Sequence, residues 1–242
     1  MQGITLIFPY YMNQGMLLKQ LEIIESYPDD IQSRLQLIVV DDGSPLGERA
    51  EEVVKKDKSR KFDFRLYRIL TDLRWNWLQA RNLGAKEAKK EWLLLTDIDH
   101  IIPNETIEKL MAMELDPRSF YTFPRINWAD GSSYRPHPNS YLMTKKLYWR
   151  IGGYDETFAG NYGTDGMWRR RCDEATAGKH VLLAGCPLAR VDREDIPDAS
   201  TKPEVLQRKE GRDPNALDDI RAYKEQHGIG IQTLKLPWKR IF

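Results

Sequence analysis

The stretch WLLLTDID, Trp92 to Asp99, decides the fold. Its apolar run is far too short to cross a bilayer. It has the length and composition of a strand covered on both faces. The run ends in two aspartates one residue apart, Asp97 and Asp99, followed directly by His100. Strands of this kind belong to mostly parallel sheets, where ligands collect outside the carboxyl ends of the strands. A pair of carboxylates at such an end therefore points toward a binding crevice.

Working outward, the same alternation repeats. Ile4 to Phe8 is an apolar run closed by Pro9, and Leu35 to Val40 is a second run that stops at Asp41-Asp42-Gly43-Ser44. Asn13 is positioned to cap a helix whose apolar face is Leu17, Leu21 and Ile24, ended by Pro28. Ser44 followed by Pro45 predicts another helix start, a capping hydroxyl and then a ring whose fixed φ suits the first turn. Phe62, Phe64 and Leu66 alternate as a strand, Asn76 to Lys90 reads as a helix, and Pro103 opens a helix carrying Ile107, Leu110 and Met111. Strand and helix in alternation over about a hundred residues give an α/β chain with helices on both faces of a parallel sheet. Asp41-Asp42 and Asp97-Asp99 then lie on one sheet edge.

The second half is less regular. Ser119–Phe123, Tyr141–Thr144 and Val181–Ala184 read as strands. Lys145–Ile151 reads as a helix stopped by Gly152-Gly153, and Asp165–Ala177 as one stopped by Gly178. Beyond Ile196 the chain turns polar, with helical pieces at Glu204–Lys209 and Asn215–His227. Residues 1–196 are expected to form one catalytic domain, 1–100 its nucleotide-binding half and 101–196 its acceptor-binding half. Residues 197–242 are expected as a helical C-terminal extension packed on that domain.

The 242 residues are 41% hydrophobic and 30% charged, the balance of a globular chain rather than a disordered one. A net charge of +1 supplies no global attraction to nucleic acid. Two cysteines, Cys172 and Cys186, make neither a disulfide framework nor a metal spacing. The absence of a signal-like leader and of a long apolar run leads to an expected cytoplasmic location. The amphiphilic segment Leu236 to Phe242 leaves peripheral membrane contact open.

Two carboxylates converging on a crevice repel each other unless a cation sits between them, and hard oxygen ligands suit magnesium or manganese, which bridge phosphate oxygens. The competing reading of Asp97 and Asp99 is a solvated, helix-capping turn ahead of Pro103. A carboxylate from Asp41-Asp42 is suited to hydrogen bonds from a nucleobase imide or ribose hydroxyls; the competing reading is a plain turn.

Four stretches together resemble a known family. VVDDGS at residues 39–44, ARNLG at 80–84, LLTDID at 94–99 and GGYDE at 152–156 look, in this order, like the family 2 glycosyltransferases of the GT-A fold. The resemblance spans roughly residues 3–192. It implies a Rossmann-like, mostly parallel central sheet flanked by helices, and an inverting, nucleotide-sugar-dependent enzyme. By that resemblance Pro9 and Tyr10 or Tyr11 face the nucleobase, Asp42 with Asp41 beside it reads the base, and Arg81 lies near the nucleotide. Asp97 sits by the ribose or metal, Asp99 ligates the metal, and Gly153, Tyr154 and Asp155 line the acceptor side. The family's usual Glu-Asp pair before a helix is here Thr164-Asp165, which keeps the aspartate as the expected general base. The family's late metal-side histidine is absent, and Asp192 is expected in its place.

His137 and Asn139, ahead of the acceptor-side strand, are suited to hydrogen-bond a sugar. His100 reads more simply as the start of a turn. Arg169-Arg170-Arg171 has the look of a phosphate clamp, yet on a helix only one or two of the three share a face. Trp75, Trp77, Trp128 and Trp168 are candidates for stacking on sugar, with packing as the default.

The expectation is thus a glycosyltransferase that takes a sugar from a nucleotide-diphosphate sugar, a UDP-sugar first, with Mn2+ or Mg2+. The acceptor is a glycan, lipid-linked sugar, protein or small molecule, with a modified DNA base a remote option. Its rivals are a sugar-phosphate nucleotidyltransferase and a binding protein whose catalytic site has decayed. The first lacks its glycine-rich basic loop here, since residues 8–12 read FPYYM. An aspartyl-nucleophile phosphatase would place its Asp-x-Asp after the first strand, not near residue 97.

Overall fold

Strand β1 (Ile4–Tyr10) runs through the middle of the molecule, and its apolar side chains alternate between two cores. The computed structural model describes residues 3–242 except 56, 58, 162, 204, 206–212, 234 and 235. After β1 come helices α1 (Gln14–Glu25) and α2 (Asp29–Arg34), strand β2 (Leu35–Asp41), the single turn α3 (Ala50–Val53) and strand β3 (Asp63–Ile69). Then follow α4 (Trp77–Glu87), β4 (Trp92–Leu95), β5 (His100–Ile101) and α5 (Asn104–Ala112). The second half holds β6 (Phe120–Thr122), β7 (Arg125–Asn127), β8 (Ser133–Tyr134), β9 (Tyr141–Thr144) and α6 (Lys145–Arg150). It continues with α7 (Asp165–Ala175), β10 (His180–Leu182), β11 (Leu188–Arg190), α8 (Ala216–Gln226) and β12 (Trp238–Arg240).

The main sheet has the order β10-β6-β9-β4-β1-β2-β3-β12. Strands β4, β1, β2 and β3 are parallel neighbours, whereas β9 and β12 run antiparallel to theirs. A second sheet, β5-β11-β7-β8, stands beside the carboxyl ends of the first. On one face Leu17, Leu21 and Ile24 of α1 and Leu110 of α5 pack toward Leu6 and Phe8. On the other face Leu78 and Leu83 of α4, Leu147 of α6 and Trp168 of α7 pack toward Ile7, Val40 and Leu95. Each such buried aliphatic side chain stabilises the fold by about 1.5–3 kcal/mol relative to exposure. The α/β reading of the sequence holds, and the two aspartate pairs stand at or just beyond the ends of β2 and β4, the strands on either side of β1.

Asn13 caps α1 through its side chain, which accepts from the Met16 amide at 3.3 Å. Ser44 does not start a helix. Its hydroxyl accepts instead from the Met12 amide at 3.1 Å, tying the loops after β1 and β2 together, and α3 begins only at Ala50. Asp41 satisfies the intervening turn, accepting from the amides of Ser44 and Ala50 at 2.8 and 3.0 Å. The C-terminal region also departs from a purely helical extension, because β12 joins the main sheet as an edge strand on β3. The helix expected at 204–209 lies largely outside the described residues. Among the described residues no helix is long and apolar enough to cross a membrane.

Candidate active site

The parallel strands end in a cleft of about 870 Å³ bounded on its far side by the smaller sheet. Pro9 and Tyr10 reach it from the end of β1, Tyr11 from the loop that follows, and Asp42 from the loop after β2. Asp97 and Asp99 enter after β4, His137 and Asn139 from the loop before β9, and Asp165 from the first turn of α7. Residues more than 150 positions apart are thus gathered by one sheet edge.

Asp97 is the most heavily supported of these. One carboxylate oxygen accepts from Arg81 at 2.6 Å and the other lies 3.2 Å from Nε2 of His137. Burial alone would favour the neutral acid, but the charges of His137 and Arg81 outweigh it and hold the Asp97 carboxyl well below the usual range. Asp99 follows the same logic. Burial raises it, and His100, whose Nδ1 lies 2.7 Å from its Oδ1, more than reverses the shift. The two imidazoles, His100 and His137, lie against each other with centroids 4.2 Å apart and planes tilted by 36°.

Asp165 is different. Burial is the largest influence and raises its pKa, the Asn139 hydrogen bond opposes this, and the charge of Asp97 adds to it. The helix N-terminus at which it sits would lower it, so desolvation wins. Asn139 is the connecting piece: its amide donates to Asp165 while its carbonyl accepts from Arg81 at 2.8 Å. The site thus holds one carboxylate pair with lowered pKa values and a separate carboxylate whose pKa is raised.

The sequence model of the family described as Glycosyl transferase family 2 matches residues 5–168. The chain belongs to glycosyltransferase family 2. No curated protein matches it. Several solved structures share its fold. The crystal structure of S. aureus TarS 1-349 in complex with UDP-GlcNAc aligns with a TM-score of 0.63 and 16% identity, over 79% of this chain and 59% of that one. GalNAc-T7 with UDP, GalNAc and Mn2+ aligns at 0.62 and 12% identity, over 92% and 48%. The mannosyltransferase PcManGT from Pyrobaculum calidifontis, in complex with GDP-Man and Mn2+, aligns at 0.57 and 18% identity, over 78% and 56%. The chain therefore spans only about half to three-fifths of the length of these structures.

Within this family 2 framework several expected site residues take other places. Asp41 is 1% exposed and spends both oxygens on the turn described above, so only Asp42 faces the cleft. Asp42 has one buried oxygen without a partner, and burial, then the charges of Asp41 and Asp72, push its pKa well up. Arg81 is fully buried and reaches the cleft only through Asp97, donating also to the Tyr154 hydroxyl at 2.9 Å. Tyr154 is consequently a support beneath the floor. Gly153 and Asp155 likewise turn away: the Gly153 carbonyl accepts from Arg171, and Asp155 pairs with Lys224 of α8 at 2.7 Å. Tyr154 and Asp155 line a separate cavity of about 320 Å³ behind the first turn of α7.

Asp192 is not brought to the metal side. It pairs with Arg190 of the cleft wall at 2.9 Å and accepts from the Glu194 amide. The backbone beside it does approach, since the Val191 amide donates to the Asp99 carbonyl. Among the described residues no three His, Cys, Asp or Glu side chains are arranged to hold a metal by themselves. None of Arg169, Arg170 and Arg171 lines the cleft. Of the tryptophans, Trp75 and Trp77 line it, Trp128 stands exposed on the β7–β8 hairpin and Trp168 is buried.

His100 carries more than the turn assigned to it from sequence. It is 1% exposed and its ring joins Asp99 on one side to Arg125 on the other, with Nε2 and Nη1 3.1 Å apart. Its adjacency to Asp99 was the only local signal; the partner is 25 positions away.

Proposed function

We propose that this chain is a glycosyltransferase that moves a sugar from a nucleotide-diphosphate sugar, a UDP-sugar first, to an acceptor hydroxyl with inversion. The observation that carries the reading is the convergence of Asp97, Asp99 and Asp165 on one cleft, at opposite ends of the Arg81–Asn139 hydrogen-bond chain.

Tyr10 or Tyr11 and Pro9 offer a wall for the base, and the unpartnered oxygen of Asp42 offers an acceptor for an imide or ribose donor once a ligand packs against it. The residues fit a divalent cation of the Mg2+ or Mn2+ type. Asp97 and Asp99 are both held ionised at the cleft, and only one oxygen of Asp99 is occupied by His100. Such ions are commonly held by one or two carboxylates with substrate phosphates and water completing the set, so a third protein ligand is not required. Bound there, the ion would neutralise the charge that grows on the departing nucleoside diphosphate.

Asp165 takes the proton of the acceptor hydroxyl as that oxygen forms its bond to the anomeric carbon and the diphosphate oxygen leaves with the bonding pair. Asn139 fixes the orientation of Asp165, and partial burial keeps it basic enough to act. Attack opposite the leaving group inverts the anomeric centre.

The test is transfer or hydrolysis of UDP-sugars in Mn2+ by the wild type, D99A and D165N. Losses of about a hundredfold or more in each variant are expected. Undiminished turnover in both would overturn the reading. Thr164, standing where the family usually has glutamate and keeping its hydroxyl buried without a partner, favours a second reading, a sugar-nucleotide-binding protein that has lost catalysis. That reading predicts donor binding without turnover in the wild type.

A further inference from the structure

The smaller sheet presents four arginines to the cleft. Arg125 projects from β7, Arg135 follows β8, Arg190 ends β11 and Arg193 lies just beyond it. Tyr134 is held between two of them, the Arg125 and Arg190 guanidiniums lying 4.5 and 4.9 Å from its ring centroid. Such sandwiching fixes planar guanidiniums in place without spending their donors. In a chain of net charge +1, this is a local concentration of charge rather than a by-product of a basic protein.

The charges are not all balanced within the protein. Arg190 and Arg193 pair with Asp192 and Asp198 at 2.9 and 2.8 Å. Among the described residues, Arg125 and Arg135 have no carboxylate partner. Arg125 is 7% exposed and donates to the Arg135 carbonyl at 2.7 Å, which keeps the two neighbours together although their charges repel. Burial works most against the charge on Arg125, Asp99 and Tyr134 favour it, and Arg190 and Arg135 oppose it again. An arrangement of like charges facing a cleft becomes favourable when an anion enters. Arginine forks match phosphate oxygens in geometry as well as charge.

We propose that this arginine wall binds a phosphate group on the acceptor, so that the acceptor is a phosphate ester whose free hydroxyl is presented to Asp165. The inference rests on the reading of the cleft as a donor site. The donor's own diphosphate already has a place at Asp97 and Asp99, with its charge met by the cation those carboxylates would hold. Arg125 and Arg135 are then left over, Arg125 meeting Asp99 only through the His100 ring.

Glycerol 3-phosphate is a suitable probe, titrated by calorimetry into the wild type and R135A saturated with UDP and Mn2+. Arg135 is exposed, so its loss leaves the fold intact; R125Q is the second variant, with circular dichroism as the check on folding. Glycerol 3-phosphate is expected to bind the wild type, and glycerol is expected not to. In R135A its affinity should fall at least about tenfold, while UDP affinity changes less than about twofold. UDP affinity that falls in parallel would assign the arginines to the donor diphosphate and overturn the proposal. So would glycerol 3-phosphate binding that is absent, or that is indifferent to both substitutions. A wild type that binds no UDP at all would instead overturn the donor-site reading, and this inference with it.

Discussion

Arg81 donates to Asp97 at 2.6 Å from a position with no solvent exposure, while the carboxylate it holds is half-exposed at the cleft. The cation is therefore part of the interior and the anion part of the site. Its Nη1 donates to the backbone carbonyl of Asn139 and to the Tyr154 hydroxyl, so one side chain sets the positions of the Asp97 carboxylate and of Asn139, which in turn donates to Asp165.

Replacing Arg81 by methionine should accordingly do two things. It leaves the Tyr154 hydroxyl, the Asn139 carbonyl and Asp97 without their partner, and should cost about 3–5 kcal/mol in urea unfolding. At temperatures where the variant remains folded, donor binding should weaken as well. A loss below about 1 kcal/mol would show that the buried pair contributes little.

The pH–rate profile should report Asp165. Its pKa is raised by burial, so the proton-accepting form appears only above the ordinary carboxylate range. kcat/KM should fall as pH drops through that raised value, with the acid limb displaced upward from an exposed aspartate. D165N should remove the limb along with most of the activity. A limb unchanged in D165N would assign it to another group.

Asp42 predicts a stability effect of opposite sense to the usual carboxylate. Its folded pKa lies well above the ordinary value because burial, Asp41 and Asp72 disfavour the charge. The folded state therefore holds the proton more tightly than the unfolded chain, and stability falls as pH rises from the ordinary value toward the raised one. D42N should have a higher Tm than the wild type at pH 8, an advantage that disappears at pH below the ordinary aspartate range. It should also bind UDP more weakly.

Gly84 lies inside α4, where alanine would normally be favoured by about 1 kcal/mol. Here a Cβ would meet Cγ2 of Ile7 at 2.5 Å, because α4 rests directly on β1. G84A should destabilise by about 1–3 kcal/mol despite the better helix propensity. Equilibrium unfolding would settle the sign.

The parallel sheet and its aspartate-bearing edge were legible because Leu37–Val40 and Leu93–Leu95 are apolar without interruption, and such runs suit only strands covered on both sides. What could not be read was direction. Adjacent residues on an extended chain point to opposite sides, so of Asp41 and Asp42 one had to turn inward, and local sequence did not say which. The same uncertainty left Tyr154 beneath the floor. His100 and Arg125 acquire meaning only through each other, across 25 residues and between two sheet strands, and no short-range pattern encodes that.

Strand β12 has a consequence that concerns association between molecules rather than events in the cleft. It covers β3, with the Leu66 amide donating to the Phe242 carbonyl and the Leu70 amide to that of Pro237. Its own outer side is only three residues long, all exposed, and includes Lys239 and Arg240. Short, charged rims of this kind discourage a second chain from adding on. Removal of residues 237–242 would uncover the longer β3, seven residues whose backbone donors and acceptors then lack a neighbouring strand. Light scattering of that truncation should show stronger concentration-dependent self-association than the intact chain.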